Sequence, residues 1–326
     1  MFYDAIAQKH LHLANQAQIC PPYGANIVGY VRSTGALSAT DAIGLIPNAF
    51  SSLATPTTPT YYATVAAAMA ACVSGRQNYI YVLPGHSESV GTTLMTGAVA
   101  DTTLVGVGDT TVDSGPTLLW SGATSNMAVA IKNFRMINLR LRADADNVTE
   151  AITITAAGFR MIGCQVDAGI GSSTDILIMC NVSTNANDAA FVGNQMRCTA
   201  GGNTTLIKMA AVVDNLQIIN NHIFGTSQST TLGNLSMTAA LTNVLIAGNW
   251  VDQQKASGTA ALNISDVAAT GFVCDNILGT LSAGGQGGAE GILLAGTTNI
   301  LIHFANNLNA DGLKGTSGIL CPVVTS

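Results

Sequence analysis

Phe134-Arg-Met-Ile-Asn-Leu-Arg-Leu141 returns 25 residues later as Phe159-Arg-Met-Ile-Gly-Cys-Gln-Val166, an internal copy that keeps Phe-Arg-Met-Ile in full. Looser copies follow: Phe191-Val-Gly-Asn-Gln-Met196, Leu216-Gln-Ile-Ile-Asn-Asn-His-Ile223, Val244-Leu-Ile-Ala-Gly-Asn-Trp-Val251, Phe272-Val-Cys-Asp-Asn-Ile-Leu278 and Leu301-Ile-His-Phe-Ala-Asn-Asn-Leu308. Aligned, one column reads Leu139, Cys164, Asn194, Asn221, Asn249, Asn276 and Asn306, at steps of 25, 30, 27, 28, 27 and 30 residues. Self-similarity at a period of this size is the signature of a repeat architecture, in which each unit buries its apolar face against the next.

Each copy is a short alternating segment of aliphatic residues ended by Asn or Gly, which reads as a strand running into a turn. A second apolar segment precedes each copy, for example 127–131, 151–155, 176–179 and 205–209. Two or three strands per repeat make a coil of parallel strands. Asn at a stacked turn position is expected to bond the copies above and below, satisfying turn amides that would otherwise be buried without partners. Asn194, Asn221, Asn249, Asn276 and Asn306 are therefore assigned as a structural ladder that binds no ligand.

Composition agrees with this picture. Of 326 residues, 48% are hydrophobic but only 9% charged and 5% aromatic, so the outer strand positions must be Thr, Ser, Asn and Gln. A formal charge of −6 argues against phosphate-dominated nucleic-acid binding. Lys132, Arg135, Arg140 and Arg142 form a local basic group, expected to solvate the outside of strands. The first 18 residues carry Asp4, Lys9, His10 and His12 before any apolar run, so no signal peptide is expected, and Pro, Ser and Thr interrupt every stretch of membrane length. Seven cysteines without a CxxC spacing suggest buried thiols rather than disulfides or a zinc site. Five Asn-x-Ser/Thr sequons are expected by chance in a chain so rich in Asn and Thr.

Upstream of the coil, 61–74 has helical spacing with Gly75 as a stop, and it is expected to form an N-terminal helix that caps the open end. Asn78-Tyr-Ile-Tyr-Val-Leu-Pro-Gly85 then reads as a strand and turn, followed by Thr102-Thr-Leu-Val-Gly-Val-Gly108. A helix, a strand ending in Leu-Pro-Gly, an apolar strand ending in Gly-x-Gly and then Asn-ended rungs resemble the opening of right-handed parallel β-helices of the pectin-lyase-like superfamily. More narrowly, Tyr-Val-Leu-Pro-Gly-His with Leu-Val-Gly-Val-Gly is similar to β-helix proteins among tailed-bacteriophage structural proteins.

The resemblance covers about residues 60–310 and is specific for fold more than for activity. It implies an all-β fold: a right-handed parallel β-helix over 60–311, of eight to ten rungs, with an N-terminal arm at 1–59 for attachment and a C-terminal tail at 312–326. It implies a non-enzymatic virion protein without a cofactor, a capsid decoration or cement protein that forms a homotrimer and contacts the major capsid protein through its arm. The alternative is a tailspike-like β-helix that binds or degrades polysaccharide, with a surface glycan as partner.

That second chemistry calls for clustered carboxylates and open aromatic rings. Glu occurs only at 88, 150 and 290. Asp144, Asp146 and Asp167, near Arg140 and Arg142, fall just after equivalent strands of adjacent rungs, where carboxylates could approach within glycosidase range, although turn Asp residues are ordinary. Trp120 and Trp250 are the two tryptophans, few for a sugar groove, and Trp250 is expected to plug the core or a turn. His10 and His12 share one face of any strand but are read as structural. Gly284-Gly-Gln-Gly-Gly288 follows no strand and opens no helix, so it reads as a loop.

Overall fold

In the computed structural model the described residues are 25–32, 61–92, 94–110, 115–169, 174–198, 205–225, 234–253, 260–265, 268–280, 290–294 and 301–311. They form a parallel β-solenoid. Every strand pair is parallel, and strands of successive copies lie side by side in sheets of eleven, nine and seven strands. The chain visits the sheets in turn, as in Arg135–Ile137 (eleven-stranded), Arg140–Ala143 (nine-stranded), Ile152–Ile154 (seven-stranded) and then Arg160–Ile162 back in the first.

The seven-stranded sheet limits the number of complete turns to about seven, below the eight to ten expected. Among the described residues, no strand of the third sheet follows Asn26–Val31 or Asn78–Val82, the first strands of the long sheet. Eleven strands spaced by about 4.8 Å give a shaft of about 48 Å.

Strand parity builds the interior. In the long sheet Leu104, Met136, Met161, Phe191, Ile218, Ile246 and Val273 occupy one register and point into a single continuous core. Leu141, Val166, Met196, Ile223, Val251 and Leu278 do the same from the nine-stranded sheet, as Ile152, Cys180, Ile207, Leu235, Leu262 and Ile292 do from the third. Inside, Phe134 stacks on Phe159 at 6.4 Å and Phe159 meets Phe191 at 5.7 Å. Like residues one above another keep each turn a template for the next, which is the basis of stability in repeat folds.

The predicted N-terminal helix is confined to Val65–Ala70, and one six-residue helix is not the helical cap expected from 61–74. Two local bonds explain the shortening. Tyr61–Tyr62 pairs as a strand with Asn26–Val31. At the other end, Asn78 accepts from the Val73 amide at 2.9 Å and donates to the Val73 carbonyl at 3.0 Å, holding that residue out of helical bonding.

The 1–59 arm also changes where it is described. Asn26–Val31 is a strand of the long sheet, paired with Asn78–Val82, and Asn26 Nδ2 donates to Asn78 Oδ1 at 2.8 Å. The rest of the arm, His10, His12, the Gly284–Gly288 loop and the 312–326 tail lie outside the described residues.

Candidate functional site

Two adjacent columns make the corner between the long sheet and the nine-stranded sheet. The first is Asn138, Gly163, Gly193, Asn220, Gly248, Asp275 and Asn306, every one with φ between +52° and +65°. This left-handed conformation is open to Gly and to Asn or Asp, whose short polar side chains bond locally, and it turns the chain from one sheet to the next.

The second column follows at once, and here the ladder forms. Asn194, Asn221, Asn249, Asn276 and Asn307 are buried. Each Oδ1 from Asn221 onward accepts from the backbone nitrogen and the Nδ2 of the Asn one turn earlier, at 2.9 to 3.2 Å. Asn194 Oδ1 accepts from the Cys164 amide at 2.9 Å. The second Nδ2 proton goes to a strand carbonyl of the preceding turn, Phe191 for Asn221 and Ile218 for Asn249.

Asn306, assigned to the ladder from sequence, is the turn residue at φ +52°, and Asn307 takes the rung. The register decides it, because Cys274 pairs with Ala305, which places Asn276 opposite Asn307. The step is therefore 31 residues rather than 30. Asn221, Asn249 and Asn276 each use two donors and two acceptor sites, the full capacity of the amide.

The carboxylates of the sequence-derived group separate. Asp167 is fully buried on the nine-stranded sheet, on the side opposite the core residue Val166, and lies between two guanidinium groups. Arg140 Nη2 reaches its Oδ2 at 3.2 Å and Arg197 Nε its Oδ1 at 2.5 Å. The Arg140 side chain is 8% exposed and that of Arg197 45%, so this is an Arg-Asp-Arg stack across three turns, buried at Arg140 and Asp167 and open to solvent at Arg197. Asp144 and Asp146 are exposed. Asp146 instead neighbours Asp175, whose carboxyl is pushed up chiefly by burial and further by the Asp146 charge, against a lowering hydrogen bond from the Asn147 amide at 2.7 Å. Arg197 and Asp175 were missed in sequence because strand register brings them in from turns 30 and 28 residues away.

Of the basic group, Lys132 and Arg142 are exposed, Arg135 is half-buried and Arg140 belongs to the Asp167 stack. Two glutamates are engaged. Glu88 Oε2 accepts from the Val65 amide at the helix start (2.6 Å) and lies 3.0 Å from Nε2 of the buried His86. Glu150 Oε2 accepts from the Thr153 hydroxyl at 2.9 Å and its Oε1 from Asn181 Nδ2 at 2.9 Å.

The buried thiols behave as hydrophobes, burial raising Cys164 to about 12 and Cys180 higher still. The described cysteines, at 72, 164, 180, 198 and 274, are not in disulfides. Among the described residues no group of three His, Cys, Asp or Glu side chains is placed to hold a metal, and no helix is long and apolar enough to cross a membrane.

Trp120 is fully buried, its indole donating to the Ala151 carbonyl at 2.8 Å. Trp250 is not the expected plug. It faces outward, 51% exposed, because Val251 takes the inward position of that strand. It stacks on His222 of the preceding turn at 4.7 Å and 23°, and Phe272 stacks likewise on His303 at 5.1 Å and 25°. No known family model matches the chain, and no curated protein or solved structure is detectably similar to it.

Proposed function

We propose that this protein is a non-enzymatic structural component of a bacteriophage particle, a capsid decoration or cement protein of the right-handed, pectin-lyase-like β-helix type. In this reading it is made in the bacterial cytoplasm, stands on the shell as a homotrimer and is attached to the major capsid protein by its N-terminal segment. The observation that carries it is the internal use of the repeated polar side chains: the Asn column bonds only to itself and the backbone, and Asp167 is neutralised by Arg140 and Arg197. A shaft built this way supplies rigidity. The phage assignment itself draws on the likeness of Tyr81-Val-Leu-Pro-Gly-His86 and Leu104-Val-Gly-Val-Gly108 to such proteins.

Attachment calls for a shorter deletion than the arm boundary suggests. Removing 1–59 would take away Asn26–Val31, a partner strand of Asn78–Val82. Removing 1–24 spares that strand. The shortened chain is expected to stay folded and to lose its affinity for shells stripped of decoration, read by cosedimentation; full binding would overturn the role of the segment. Antibody labelling of purified particles tests the location, and unlabelled particles overturn the virion assignment.

The tailspike-like alternative draws on the exposed Trp250 and Phe272. Turnover of a bacterial surface polysaccharide that is lost in a folded Asp167→Asn variant would favour it over the scaffold.

A further inference from the structure

The outward positions beside the Asn corner change character along the shaft. In the long sheet the outer register runs Arg135, Arg160, Ala190, Gln217, Leu245, Phe272, His303. In the nine-stranded sheet it runs Thr117, Arg140, Gln165, Gln195, His222, Trp250, Ile277, Leu308. Both begin polar or basic; the first then carries Leu245 and Phe272 before closing on His303, and the second carries Trp250, Ile277 and Leu308 at the same turns. Phe272 is 55% exposed, Trp250 51%, Ile277 44% and Leu308 43%. Together these four present on the order of 400 Å² of surface divided between two faces, within the range of the largest apolar patch on an ordinary monomer, a patch that is often functional.

Ring geometry selects the occupant. Sugars stack on open aromatic faces, but one face of Trp250 lies on His222, and Ile277 is its register partner on the next turn. Phe272 is likewise stacked on His303, with Leu245 as its partner on the turn before. The rings, with Leu245 and Ile277 as register partners, make apolar strips, which fit another apolar protein surface. This chain carries two such strips on either side of one corner and at one axial level. A neighbour lying parallel to the shaft brings strip to strip; an antiparallel neighbour would set Trp250 against the exposed Arg160.

We propose that the occupant is a second copy of this chain, the strip Leu245, Phe272, His303 of one copy seating against the strip His222, Trp250, Ile277, Leu308 of the next, with shafts parallel. A contact between two different patches repeats from copy to copy, and with shafts parallel it closes into a ring when the rotation per copy divides the full circle. A standard interface needs about 800 Å² per partner, so the strips supply its apolar centre and the polar residues beside them its rim. This locates the subunit contact of the trimer proposed above and rests on that reading for the number of copies.

The test is the mass of the purified full-length chain by sedimentation velocity. The wild type is expected to be a closed oligomer, and the Trp250→Ser/Phe272→Ser double variant a monomer with an unchanged circular dichroism spectrum. The single variants Trp250→Asp and Phe272→Asp, each monomeric alone, are expected to form a heterodimer when mixed, since one copy keeps each strip intact. A monomeric wild type, a double variant of unchanged mass, or single variants that do not combine overturn the contact. None of these results bears on particle labelling, so the virion assignment stands or falls separately.

Discussion

Asn221 Oδ1 lies 2.9 Å from both the backbone nitrogen and the Nδ2 of Asn194, so one carbonyl oxygen satisfies two buried donors of the preceding turn. Its own Nδ2 bonds the Phe191 carbonyl and Asn249 Oδ1, each at 2.9 Å. Asn221→Ala strands several buried groups at once, each worth about 1–3 kcal/mol when left without a partner. A fall in the urea midpoint of that combined order is expected. Asn221→Asp should be at least as damaging, because a carboxylate cannot donate to Phe191 or Asn249, and it should recover partly at acid pH. Unfolding curves of both variants between pH 4 and 7 check this.

Asp167→Asn leaves the buried Arg140 guanidinium without a counter-charge. Breaking one partner of a buried pair costs about 3–5 kcal/mol, and the half-exposed Arg197 places the loss toward the lower end. Denaturant unfolding should show that loss. Unchanged stability would mean that the stack is not a structural element.

Gly271 holds φ +137°, and a Cβ there would stand 2.0 Å from the Val244 carbonyl oxygen of the preceding turn. Backbone cannot yield as a side-chain tip can. Gly271→Ala should therefore open the turns at 244 and 271, read as faster amide exchange in Val244–Ala247 and Thr270–Cys274 against an unaffected Arg135–Ile137.

Asp175 has its pKa raised in the fold, first by burial, so folding favours its protonated form. The stabilisation from that proton is complete below the unfolded carboxylate value of about 4 and is lost as pH rises through the raised folded value. Asp175→Asn keeps a carbonyl for the Asn147 amide and removes the repulsion from Asp146. The variant should equal or exceed the wild type in Tm at pH 7 and lose that advantage below pH 4. A variant less stable at pH 7 contradicts the burial argument.

The coil was legible because its signals repeat: Phe-Arg-Met-Ile at 134 and 159 fixes a register, and the Asn residues at 194, 221, 249 and 276 fall in one column. What escaped depends on single-residue choices that periodicity does not make. Asn306 and Asn307 are neighbours with the same chemistry, and only hydrogen-bond register separates turn from rung. Trp250 was decidable from parity, since Val251 and Gln253 take the inward side, but its size suggested a core role. Asn26–Val31 carries its own Asn one position before the apolar run, as Asn78–Val82 does, yet it lies 52 residues upstream and outside the 25 to 30 residue spacing. The Asp167 stack needed a partner from each adjacent turn, which no local motif announces.

Along the shaft, every ladder amide from Asn194 to Asn276 donates a hydrogen bond from Nδ2 to the Oδ1 of the next, always in the same direction. Aligned dipoles of this kind reinforce one another. The row is thus polarised from end to end, with the interior amides Asn221, Asn249 and Asn276 strengthened from both sides and the end members Asn194 and Asn307 from one. Asn194 Oδ1 is held in addition by the Cys164 amide, so loosening should start at Asn307 and travel inward, giving the molecule a built-in order of unravelling.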